Sequence, residues 1–106
     1  MPKTMIIDMT HFLENGIIPD DIPTPARRLA HHSGAVVMWA TRMLSHEVRH
    51  DLSNVPCIGT RSRRPCLEYL MVGFEEDAVY WSCDACGSWG RILNWEQTIF
   101  DRRLDP

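Results

Sequence analysis

Trp81-Ser82-Cys83-Asp84-Ala85-Cys86-Gly87-Ser88-Trp89-Gly90-Arg91-Ile92 sets two cysteines three positions apart, with a glycine directly after the second. For both sulfurs to face one point the chain must turn sharply after Cys86, and glycine takes such a turn without a side-chain clash. Cys57 and Cys66 lie upstream and complete a set of four. Four thiolates, each about 2.3 Å from one ion, are the donor set of a closed structural zinc site. Iron also accepts such a cage, with zinc the default where the site is structural. The eight residues between Cys57 and Cys66 exceed the roughly two to four that usually separate paired ligands. That spacing leaves other readings open: a histidine in place of Cys57, a redox pair, or inert thiols. A thioredoxin-like pair requires a βαβ context, which this chain lacks.

The segments around the knuckle read as sheet. Leu67 to Val72 is rich in strand-forming residues, Gly73 to Asp77 reads as a turn, Ala78 to Trp81 returns, and Arg91 to Trp95 forms a third strand. This hairpin places Cys66 at the start of one strand and Cys83 at the end of its partner, at one end of the sheet. The knuckle returns Cys86 to the same place, and Cys57 reaches it from the preceding loop. With all four positions filled by sulfur, no coordination site is left for a substrate, and metal binding contributes folding free energy.

Before this region, Met5 to Ile7 reads as a short strand, and Asp8 as the cap of a brief helical turn from Met9 to Leu13. Asn15-Gly16 marks a turn, and Pro19, Pro23 and Pro25 an extended connector. Thr24-Pro25 reads as a helix start with Thr24 as N-cap. Ala26, Leu29, Ala30, Ser33, Val36, Val37, Ala40, Met43 and Leu44 recur at helical spacing, giving a helix from about Pro25 to Leu44. Gly34 inside it points to close packing. Residues Ser45 to Val55 are polar and extend the helix or form a loop. The expected organisation is one α+β domain with one main helix packed on a three-stranded antiparallel zinc-ribbon-like sheet. It comprises an N-terminal segment 1–24, a helical segment 25–46 and a zinc-ribbon-like part 55–101.

The chain's 106 residues suit a single small domain, which often needs a metal or another staple. A net charge of −3 gives no global attraction to nucleic acid or to an anionic membrane, so such binding would need a local patch. No apolar run reaches the roughly 18–20 residues of a membrane span. An acid interrupts the short apolar start, so a signal peptide is not expected. The expected location is the cytoplasm, where cysteine pairs more often hold metal than form disulfides.

Two further patterns carry chemistry. His46-Glu47-Val48-Arg49-His50 matches His-Glu-x-x-His. On a helix its histidines would hold zinc with Glu47 as general base, the signature of a zinc-dependent hydrolase. The charged Arg49 and Asp51, the polar flanks and the lack of a third ligand on a helix argue against that reading. Arg61, Arg63 and Arg64 lie between two of the cysteines, so a metal would pin a loop bearing three guanidinium groups. Such a loop suits nucleic acid or a protein partner, with Arg91, Arg102 and Arg103 as additions and Trp81, Trp89 and Trp95 as stacking faces. The simpler reading pairs the arginines with nearby acids and buries the tryptophans in the core.

Asp8-Met9-Thr10-His11-Phe12-Leu13, Pro25-Ala26-Arg27-Arg28-Leu29-Ala30 and Arg63-Arg64-Pro65-Cys66 are followed by Trp81-x-Cys83-x-x-Cys86-Gly87-x-x-Gly90-x-Ile92-x-x-Trp95-x-x-Thr98-x-x-Asp101. Together these resemble a group of small uncharacterised bacterial proteins across nearly the whole chain. In that group the knuckle typically reads Cys-Pro-x-Cys-Gly, whereas Asp84 stands here in place of the proline. The resemblance implies a zinc-ribbon-like end and no established activity, and the His46–His50 segment has no counterpart in it.

Overall fold

The computed structural model describes residues 4–45 and 47–103. In chain order, the described residues form β1 (Thr4–Asp8), a 3₁₀ turn (Met9–Phe12), α1 (Thr24–Met43), β2 (His50–Pro56), β3 (Thr60–Arg61), β4 (Arg64–Pro65), β5 (Tyr69–Glu75), β6 (Ala78–Ser82) and β7 (Trp89–Leu93). Five strands make one sheet in the order β1-β7-β6-β5-β2, and β3 and β4 make a separate hairpin.

The α+β class and the single main helix match expectation; the three-stranded sheet does not. The three expected strands are the antiparallel centre β5-β6-β7 of a five-stranded mixed sheet. β1 adds parallel to β7, pairing Thr4 with Trp89 through to Asp8 with Leu93. β2 adds antiparallel to β5 with an irregularity between Leu52 and Pro56. Parallel partners far apart in the chain leave no local turn signal. In β2 only Ser53 and Val55 are buried, so its composition reads as polar loop. The β5 strand also runs past its expected end, and the turn shrinks to Glu76 and Asp77. Gly73 stays inside the strand because the Tyr80 ring and His50 Cβ lie where its own Cβ would be, at 2.7 and 2.8 Å. It is a glycine of close approach, not of turning.

Period-two alternation sets the core. Leu70 and Val72 of β5, Val79 and Trp81 of β6, and Ile92 of β7 are fully buried beneath α1, which contributes Val36, Val37 and Ala40. Gly90 leaves room for the Trp81 ring, which would stand 2.7 Å from any Cβ there. The opposite face has no second layer among the described residues and carries exposed Leu52, Tyr69 and Trp89.

The helix starts one residue earlier than its spacing suggests. Thr24 is already helical, Pro23 holds the cap position without a side-chain bond, and its carbonyl accepts from Arg27 N at 3.0 Å. Asp8 does cap its turn, accepting from Thr10 N at 3.0 Å. Asn15 and Gly16 adopt φ of 53° and 84° between the paired Glu14 and Ile17. The tail folds back on the helix. Phe100 covers Gly34, where a Cβ would lie 2.5 Å from its ring, and Thr41 Oγ1 accepts from Arg102 N at 2.9 Å.

Candidate metal centre

All four cysteines sit at chain segments that converge on one end of the sheet. Cys57 follows β2, Cys66 follows β4, Cys83 follows β6, and Cys86 lies in the knuckle before β7. Strand alternation sends Trp81 and then Cys83 to the buried side. The knuckle closes by Gly87 N donating to Cys83 O at 2.9 Å, with Gly87 at φ 79°. Cys83 N donates across to Ser88 O at 2.8 Å. The other arm is built on the same plan, with Cys57 N to Glu68 O at 2.7 Å and Cys66 N to Gly59 O at 3.0 Å. Leu67 turns the chain after Cys66 with φ 57°.

The four sulfurs lie within 4.8 Å of one another and could hold a metal ion. Cys57 Sγ is 3.6 Å from Cys86 Sγ, and Cys66 Sγ is 3.6 Å from Cys83 Sγ. All four are free thiols. A tetrahedron with metal–sulfur bonds of about 2.3 Å has sulfur–sulfur edges of about 3.8 Å, so the donor set fits such an ion. Cys57, the ligand that spacing supported least, belongs to the cluster, and no histidine, Asp or Glu joins it among the described residues.

Amides two residues downstream point at the sulfurs. Gly59 N donates to Cys57 Sγ at 3.2 Å, and the backbones of Glu68 and Ser88 do the same for Cys66 and Cys86. The cavity is nonetheless hostile to bare thiolates. Burial pushes the Cys57 thiol well above its usual range. At Cys66 the Glu68 amide favours ionisation, but burial and the neighbouring thiols outweigh it and raise the pKa. Burial also opposes ionisation of Cys86, yet the Ser88 hydroxyl and backbone bring it down to about 6. A cation at the centre would supply the charge that stabilises the deprotonated set.

Sequence reasoning missed Gly59 and Ser88. A Cβ on Gly59 would lie 2.6 Å from Ser88 Oγ and 3.0 Å from Cys86 Sγ, so glycine is what lets the two arms meet. Ser88 is buried, 3.1 Å from Cys86 Sγ. The only available signal was a glycine within two positions after a cysteine on each arm. Gly59→Ala is expected to lower stability by about 1–3 kcal/mol, the usual cost of overpacking. It should also distort the site, as read by urea midpoint and by the thiolate-to-cobalt absorption of a Co²⁺-loaded sample. A variant that keeps both would show that the arms can part.

The remaining candidates separate clearly. Arg61 and Arg64 pair across β3-β4, and Ser62 and Arg63 form the tip with φ of 53° and 67°. The expected loop is thus a two-residue β-hairpin of the kind that requires positive φ at both tip positions. Arg63 and Arg64 are exposed. Arg91 lies 3.7 Å from Glu75 and Arg103 forks onto Asp101 at 2.7 Å, so neither extends that surface. Arg102 is also engaged at the tail, its Nη2 standing 3.7 Å from Met38 Sδ. Trp81 and Trp95 are buried, the latter donating Nε1 to Asp77 O at 2.9 Å; Trp89 is 42% exposed.

The His-Glu-x-x-His pattern does not occupy a helix over its described part. His46 lies outside the described residues, α1 ends at Met43, Glu47 is in a bend, and His50 begins β2. The pattern needs a helical turn to bring residues four apart together, whereas extended chain separates such residues by about 13 Å.

Among the described residues no helix is long and apolar enough to cross a membrane. No protein-family model, curated protein or solved structure matches the chain.

Proposed function

We propose that this chain is a non-enzymatic zinc-binding module of zinc-ribbon-like build, in which a structural metal braces the Arg61–Arg64 hairpin as a contact surface for an anionic partner, nucleic acid or protein. The observation that carries the reading is the closed, all-sulfur donor set within 4.8 Å. It leaves no ligand position for chemistry and favours zinc over harder ions. The hairpin springs from the two irregular ligands, so ordering the metal also orders the arginines. The stretch between Cys57 and Cys66 itself carries no Asp or Glu.

Elemental analysis is expected to find zinc in the wild type and in His50→Ala, and none in Cys57→Ser. Binding to an anionic partner should weaken steeply with salt, and Arg63→Ala with Arg64→Ala should reduce the slope of log K against log salt by about 1–2. Binding indifferent to salt and to both substitutions would sink the role given to the hairpin. Zinc lost on changing His50 would sink the role given to the thiolates.

A further inference from the structure

The base of the arginine hairpin forms one wall of a cleft, and the start of α1 forms the other. The cleft has a volume of about 610 Å³, within the size range of ligand pockets. Met5, Leu29, Pro56, Ile58 and Leu67 supply an aliphatic floor, and Arg28 is the one charged lining residue among the described residues. Leu67 is 64% exposed, at a φ of 57°. An aliphatic groove left open to water beside a cationic rim is the usual mark of a protein contact.

Charge along the chain is segregated to match. From Ile22 to His46 and from Leu52 to Leu67 there is no Asp or Glu, although the chain has 14 acids. These two stretches, which build nearly all of the cleft, hold Arg27 and Arg28 near it and Arg61, Arg63 and Arg64 in the adjoining hairpin. A neutral apolar peptide would leave that charge unanswered. A nucleic acid would answer it but gain little from the groove, since no aromatic ring lines it for bases to stack on. An acidic segment with apolar anchors satisfies both.

We infer that this cleft docks an acidic peptide segment of a partner protein, its apolar side chains filling the aliphatic floor and its carboxylates meeting Arg28 and the hairpin arginines. The inference rests on the reading of the hairpin as an anionic contact and narrows it to one class of partner. Arginine pairs carboxylates in forked geometry, and anchors in a pocket carry most of the affinity in such contacts.

The test uses the zinc-loaded full chain and fluorescence anisotropy with labelled probes. The probes are a Glu/Asp-rich peptide carrying leucine and phenylalanine, the same peptide with serine at the apolar positions, and single-stranded oligo-dT. The apolar acidic peptide is expected to bind best, with the serine version at least about tenfold weaker. Leu67→Asp and Arg28→Glu should each weaken binding by at least about tenfold. Aspartate tolerates positive φ at position 67, and circular dichroism and zinc content verify that both variants are folded. If oligo-dT binds with a salt slope that depends on Arg63 and Arg64 while Leu67→Asp changes nothing, the peptide cleft is overturned and the hairpin contact stands. If none of the probes binds, both are overturned.

Discussion

Cys83→Ser is expected to leave the chain without a stable fold under conditions where the wild type is folded, and chelating the wild-type metal should do the same. Cys83 is 3% exposed and directly follows β6, the central strand of the sheet. Its sulfur faces that of Cys66 at 3.6 Å, so its loss breaks the link between the two arms. Structural zinc contributes an apparent ~10–16 kcal/mol in small zinc-binding peptides, whereas a whole domain has a net stability of only ~5–15 kcal/mol. Without the ion, the thiols at Cys57 and Cys66 are buried polar groups with raised pKa. Far-UV circular dichroism and tryptophan emission during thermal melts check this. A Cys83→Ser or chelated protein melting within a few degrees of wild type would show that the core suffices alone.

Trp81→Ala should cost about 3–5 kcal/mol in urea denaturation, the range for deleting a large buried aromatic. The ring is fully buried, lies against Gly90 and meets His32 edge-on at a centroid distance of 5.7 Å. His32 is pinned in turn by Nε2 on Pro56 O at 2.9 Å, one residue before Cys57. Burial holds the His32 pKa below its usual value, with the Pro56 bond opposing, so the imidazole packs there in its neutral form. The loss should therefore reach the metal end, where zinc affinity measured with a competing chelator is expected to fall as well. A destabilisation below about 1 kcal/mol would mean that neighbouring side chains collapse into the space.

Much of this was legible in the sequence, and the reasons differ by element. The helix announced itself because its buried face, Ala30, Ser33, Gly34, Val37 and Thr41, recurs at helical spacing. The central hairpin showed because Leu70, Val72, Val79 and Trp81 alternate on it. The cysteine knuckle was readable because short spacing and Gly87 together define a turn. Residues outside the knuckle in the Trp81–Asp101 motif also find structural roles. Ile92 fills the core, Thr98 Oγ1 donates to Trp95 O at 2.7 Å, and Asp101 receives Gln97 N at 3.0 Å while gripping Arg103. Burial resists ionisation of Asp101, yet those bonds hold its pKa near 2. What stayed hidden was non-local. β2 lacks a pattern because one side of an edge strand faces water; β1 was readable as a short strand from Met5 to Ile7, but its pairing with β7 was not, because the partner lies far along the chain. Gly59 was hidden because its neighbour across the gap, Ser88, belongs to the opposite arm.

That distant pairing sets an order for folding. β5, β6 and β7 succeed one another through short connections. β1 must close nearly the whole chain to lie beside β7. Loop-closure entropy rises with the span closed, and long-range contacts slow folding. The N-terminal strand should therefore dock last and lift first, with its amides exchanging ahead of those in β6. Each time it lifts, β7 presents a bare row of amides and carbonyls to solvent. The last strand to dock thus shields the sheet from pairing with other chains.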